Sequence, residues 1–112
     1  MVKIIFPNRF SVYLHDTNHR DYFVKNKRSL SSGCVRVEKP LELVNYILND
    51  SINYSIDKIN ELLKTSKTQN ASIKENITIY QWYWTAWSDN NDLIFRDDIY
   101  NLDAELYQKL RN

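Results

Sequence analysis

The sequence predicts an α+β fold, mainly β, on three observations. Short runs near the N-terminus alternate apolar and polar residues, two stretches after residue 40 carry apolar residues at helical spacing, and residues 77–87 are dense in β-branched and aromatic side chains. With 112 residues and 43% apolar content, the chain reads as one domain, residues 1–112, whose core is adequate but not generous.

Residues 3–6 and 10–14 read as two strands separated by a Pro7-Asn8-Arg9 turn, since Ser11/Tyr13 and Val12/Leu14 fall on opposite sides. His15 then sits at the lip of a sheet. Residues 16–26 are polar around Tyr22-Phe23-Val24 and predict a loop with one buried aromatic clamp, the kind of position that carries chemistry. Pro40 suits the first position of a helix, and Leu41, Val44, Ile47 and Leu48 then share a face. Ser55 can cap a second helix with Ile56, Ile59, Leu62 and Leu63 on its apolar side.

Residues 64–76 are rich in Lys, Ser, Thr, Asn and Gln and predict an exposed connection, too short for an interdomain linker. Residues 77–87 predict a strand buried on both faces. Stacking of these aromatic rings on sugars or bases is the alternative, weighed below core packing. Asp89-Asn90-Asn91-Asp92 reads as a hairpin turn with asparagine in place of glycine, and Leu93-Ile94-Phe95 as the returning strand. Residues 104–110 predict a short terminal helix with Leu106 and Leu110 on one face.

Fifteen Lys and Arg against fourteen Asp and Glu leave a formal charge of +1. There is therefore no field to draw the chain onto nucleic acid or an acidic membrane. The apolar stretch at the N-terminus stops at Pro7, too short for a signal peptide, and no run of apolar residues is long enough to span a membrane.

The segment Arg28-Ser29-Leu30-Ser31-Ser32-Gly33-Cys34-Val35-Arg36-Val37 holds the one glycine and the one cysteine of the chain, side by side. A single cysteine excludes an intrachain disulfide and leaves a thiol whose reactivity has to be considered. Glycine permits a tight turn whose amide can face outward beside the sulfur. A thiol needs a neighbouring base to ionise near neutral pH, and His15 in Tyr13-Leu14-His15-Asp16-Thr17 is the candidate. The structural alternatives are a buried small cysteine and an ordinary histidine. His15 and His19 with Asp16 could also suggest a metal site, but Asp16-Thr17-Asn18 is turn chemistry rather than helix, and no third ligand is apparent.

Phe6-Pro7-Asn8, Tyr13-Leu14-His15-Asp16-Thr17, Phe23, Arg28, Ser31-Ser32-Gly33-Cys34-Val35-Arg36-Val37 and Pro40-Leu41-Glu42-Leu43 together resemble the catalytic core of the L,D-transpeptidases (YkuD-type domain), which cross-link bacterial peptidoglycan. Thr85-Ala86-Trp87 and Phe95-Arg96-Asp97-Asp98-Ile99-Tyr100 resemble the ending of the larger periplasmic members. The likeness covers most of the chain, with a gap near residues 50–76. Many members carry histidine before the glycine, where this chain has Ser32; some large members carry serine there, so this change alone does not imply inactivity.

The resemblance implies a β-sandwich or barrel with two helices after the cysteine motif, its upstream strands lying outside this chain. It implies Cys34 as nucleophile, His15 as base and Gly33 shaping the oxyanion turn. Arg36 becomes the candidate for a substrate carboxylate, with a structural ion pair to Asp16 or Glu38 as its alternative. Ser31, Ser32 and Tyr13 are placed on the substrate side, the two serines orienting His15 or the turn. The implied partners are peptidoglycan stem peptides and an N-terminal half or parent chain, the implied location is the periplasm or cell envelope, and no metal or organic cofactor is called for. Two alternatives accompany this reading: an inactive remnant or interaction module, and a thiol hydrolase of the carboxypeptidase or endopeptidase type.

Overall fold

The computed structural model describes residues 1–65 and 67–111. They form two compact units, Met1–Asn76 and Ile77–Asn112.

The first unit is built on three short strands, β1 (Lys3–Ile4), β2 (Leu14–His15) and β3 (Val35–Arg36), in the order β1-β2-β3. β1 runs antiparallel to β2 with Lys3 opposite His15, and β3 runs parallel to β2 with His15 opposite Arg36. The second strand is shorter than the alternation of residues 10–14 predicts, and Asn8 is the reason. Its side-chain Nδ2 donates to the carbonyls of Phe6 (2.9 Å) and Val12 (2.8 Å), while its Oδ1 accepts from the amides of Phe10 (3.0 Å) and Val12 (3.1 Å). Backbone groups that a longer ladder would use are thus satisfied locally by one side chain.

The loop after β2 contains a 3-10 turn, Arg20–Val24. Its Tyr22 and Phe23 are partly buried while Val24 is exposed. α1 (Pro40–Leu48) has Pro40 in its first turn and ends at Asn49, whose left-handed φ of 46° stops the helix. α2 (Ile56–Lys64) is capped by the Ser55 hydroxyl, which accepts from the Lys58 amide at 3.4 Å. Asp57 in its first turn and Lys64 in its last complement the helix dipole. The Asn45 side chain donates to the Tyr54 carbonyl at 2.8 Å, tying α1 to the approach of α2. Among the described residues Ile4 of β1, Leu48 of α1 and Ile59 of α2 are buried and form the small apolar core, with Pro40 buried at the start of α1. The connection expected over residues 64–76 is exposed at every described position, with Ser66 outside the described residues.

The second unit is a hairpin followed by a helix. β4 (Ala86–Asp89) and β5 (Asp92–Phe95) pair antiparallel around Asn90 and Asn91, whose φ values of 47° and 70° suit a tight hairpin turn. α3 (Asp103–Arg111) follows, its Leu106 and Leu110 exposed.

The strand expected at residues 77–87 enters the ladder only from Ala86. Residues 77–85 carry no strand assignment, and Tyr80, Trp82 and Trp84 are 72%, 71% and 60% exposed. Their rings lean on one another, with centroids 6.0 Å apart for Tyr80 and Trp82 and 5.9 Å for Trp82 and Trp84. β-propensity expresses fit against neighbouring strands, and no described strand pairs with this run. The fold is accordingly mixed α+β rather than mainly β, with three nine-residue α-helices among the described residues beside strands of two to four residues. No helix of the described residues is long and apolar enough to cross a membrane.

Candidate functional site

The parallel pairing of β2 and β3 brings the two halves of the sequence motif together. Leu14 lies opposite Val35 and His15 opposite Arg36, and the register is held by the Val35 amide on Tyr13 O (3.2 Å) and the Val37 amide on His15 O (2.9 Å). Paired residues in a ladder share a face, and side chains two apart along a strand share it too. His15 and Arg36 therefore fall on one side. Cys34 immediately precedes β3, two residues before Arg36, and its side chain is partly exposed.

The imidazole of His15 is oriented from one end. Its Nδ1 lies 2.6 Å from the carbonyl oxygen of Asp16. A carbonyl can only accept, so Nδ1 carries the proton and the neutral ring keeps its free lone pair on Nε2. The ring of Tyr13 packs against His15 at a centroid distance of 5.6 Å, tilted by 54°. Tyr13 also receives the Lys3 ammonium 5.3 Å from its ring centre.

The cysteine turn closes on itself. Gly33 adopts φ +133°, a region that side chains rarely enter. The Ser31 hydroxyl donates to the Cys34 carbonyl at 2.7 Å and accepts from the Gly33 amide at 3.4 Å. Ser31 thus bonds to the turn and not to His15, while Ser32 is exposed beside it.

Arg36 is partly buried, with its guanidinium 5.2 Å from the centre of the Tyr22 ring. Its Nε and Nη1 are enclosed without a hydrogen-bond partner among the described residues. The ion pair weighed between Arg36 and Asp16 is not formed, because the Asp16 carboxylate accepts from Arg20 instead. His19, exposed at the surface, stacks on Tyr22 at 4.7 Å and faces Asp21 at 4.0 Å.

Sequence reasoning missed three contributors: the Asp16 carbonyl on His15, the Tyr22 ring beneath Arg36, and Arg20. Tyr22 stood out as part of the aromatic clamp but not as a partner of Arg36, and the pairing of Arg20 with Asp16 left no signal because the segment between them is not a helix.

The sequence profile of the L,D-transpeptidase catalytic domain, YkuD, matches residues 1–79. The chain is 36% identical over 104 residues to a Haemophilus influenzae protein named "Putative L,D-transpeptidase"; the match covers 93% of this chain and 21% of that protein. The chain therefore spans about a fifth of the length of the curated relative it matches.

Proposed function

Because the chain belongs to the L,D-transpeptidase catalytic-domain (YkuD) family, we propose that it carries the nucleophile and base of a peptidoglycan L,D-transpeptidase. The observation that carries the reading is the β2 and β3 register. It sets His15 opposite Arg36, two residues after Cys34, and the Asp16 carbonyl lies against Nδ1; in the proposed role Nε2 is the proton acceptor.

In the proposed reaction, His15 Nε2 takes the proton of the Cys34 thiol as Sγ attacks the carbonyl on the L-centre of the diamino acid of a stem tetrapeptide. The oxygen of the tetrahedral adduct is met by the Cys34 backbone amide on the turn that Gly33 shapes. One such donor contributes roughly 2.7–4 kcal/mol in other acyl-transfer enzymes. Collapse breaks the bond to the terminal D-alanine, whose amine leaves with the proton held by His15, and a thioester remains on Cys34. An acceptor amine from a second stem peptide, giving its proton to His15, then displaces the thiol and forms the cross-link.

Arg36 binds the substrate carboxylate in this scheme, which the lack of a hydrogen-bond partner on its enclosed Nε and Nη1 among the described residues supports; a planar fork suits a carboxylate. Tyr13 borders the base, and Ser31 holds the nucleophile turn while Ser32 lies at its exposed edge. Peptidoglycan as substrate places the reaction in the cell envelope.

The test is intact mass spectrometry of the reduced, folded chain after incubation with a carbapenem or a stem tetrapeptide. The expected result is one acyl adduct that disappears in Cys34→Ala and forms about a hundredfold more slowly, or slower still, in His15→Ala. No adduct on the folded, reduced chain would overturn the reading and leave that of an inactive module. Product analysis with and without an acceptor amine separates joining from hydrolysis.

A further inference from the structure

We propose that Arg20 is a positioning residue that fixes the base-bearing end of β2 against the chain leaving β3; the proposal rests on the assignment of His15 and Cys34 above. Arg20 lies outside every motif quoted for the family resemblance and opens the 3-10 turn. Its guanidinium nevertheless reaches both sides of the site. Nη2 donates to Oδ1 of Asp16, and Nη1 donates to the carbonyl of Val37 at 3.3 Å and to that of Glu38.

Asp16 is the residue whose carbonyl orients His15, and it is anchored in turn. Its amide donates to Val2 O at 2.9 Å, and its Oδ1 accepts from the amide of the buried Thr17 at 2.8 Å. The Val37 amide returns to His15 O. A closed ring of hydrogen bonds therefore runs from His15 through Asp16 and Arg20 to Val37 and back to His15.

The ring has work that the ladder alone cannot do. β2 and β3 pair over only two residues each, and in so short a ladder little opposes a slip in register or a splaying of the strand ends. A shift of one residue would turn the His15 side chain to the other face. Arg20 spans the pair at the end where both strands leave it, and a planar fork can grip a carboxylate and two carbonyls at once, which a lysine ammonium on a flexible stem does less well. No contact of Arg20 in this ring uses a group assigned to bond making, so its action on the chemistry goes through His15.

Alkylation of Cys34 by iodoacetamide tests this, measured as the ratio of rates at neutral and alkaline pH. The ratio reads how well the base serves the thiol, and each protein acts as its own control for simple access. The titratable and cationic neighbours on the site face are Lys3 from β1, Tyr13 just before β2, His15 from β2, Arg36 from β3 and Tyr22 from the 3-10 turn, all unchanged in the Arg20 and Asp16 variants.

Arg20→Gln should lower the ratio roughly tenfold, toward the value of His15→Ala, as expected when a reacting group loses its alignment. Arg20→Lys should recover part of the loss. Asp16→Asn, which keeps the backbone carbonyl on His15 but weakens the grip of Arg20, should reproduce much of it, and the double variant should be no worse than the sum of a shared defect allows.

A wild-type ratio in folded Arg20→Gln and Asp16→Asn overturns the proposal. If Arg20→Gln does not fold, as judged by circular dichroism, Asp16→Asn and Arg20→Lys decide it alone. If His15→Ala itself leaves the ratio unchanged, the assignment of the base fails. If His15→Ala lowers the ratio and the Arg20 and Asp16 variants do not, only the role of Arg20 fails.

Discussion

Gly33 holds φ +133°, and a Cβ built there meets no atom within 4 Å. The cost of any side chain at this position is therefore a cost of backbone conformation rather than of space. Gly33→Ala is expected to lower stability by about 1–2 kcal/mol, read as a lower urea midpoint with an unchanged slope. An unaltered midpoint would mean that the turn relaxes freely and does not depend on glycine. This residue and its neighbour Cys34 stand out in the sequence because each occurs once. The Asp16 carbonyl that orients His15 does not stand out, since every residue has a carbonyl and only the returning chain decides what it meets.

The helices show how local signals carry an element, and the strands show where they stop. Pro40, the apolar stripe behind it and the Ser55 cap are written within a few residues of the structure they specify, and α1 and α2 form where those signals lie. The Ser55 bond to the Lys58 amide is long, 3.4 Å. Ser55→Ala should therefore cost toward the lower end of a lost cap, about 0.5–1 kcal/mol, measured by urea unfolding followed by far-ultraviolet circular dichroism. A loss well above that would indicate that Ser55 does more than cap. A strand, by contrast, needs a partner that composition cannot name. Alternation in residues 10–14 was real, but Asn8 satisfied the backbone of Phe10 and Val12 first. The aromatic run of residues 77–87 has strong β-propensity and yet enters the hairpin ladder only from Ala86. Of the proposed site, the motif residues were visible in the sequence, whereas the parallel pairing that sets Leu14 opposite Val35 and His15 opposite Arg36 was not, because a register depends on how distant strands meet.

Over the whole molecule, each unit carries its own pH limits. In the first, hydrogen bonds from the Asn53 side chain, then its backbone amide and Lys74, hold the Asp50 carboxyl well below the usual carboxylate range. A lowered folded value stabilises above the unfolded pKa of about 3.9 and is lost as pH falls toward the folded one. In the second unit the amide of Asp103, followed by the Tyr83 hydroxyl, lowers Asp98 in the same sense. Partial burial and the bond to Asp98 raise Tyr83, so its contribution is complete below about pH 10 and is lost as pH rises through the folded value. All three tryptophans lie in the second unit, so indole emission follows its unfolding. The emission-monitored urea midpoint should be level from about pH 4 to about pH 10 and fall on either side. Tyr83→Phe should remove the alkaline fall, and persistence of that fall in the variant would assign it to another group.

The leaning rings of Tyr80, Trp82 and Trp84 also have an optical consequence. Indoles with centroids 5.9 Å apart and planes at 37° are close enough for their electronic transitions to couple, so light of either hand is absorbed unequally by the pair as a unit. The molecule should display a paired positive and negative band superimposed on its helical spectrum, and Trp82→Ala should erase that pair while the helical signal stays. Such a band would serve as a built-in gauge of whether the rings of Tyr80, Trp82 and Trp84 keep this arrangement when the chain meets a ligand or another protein.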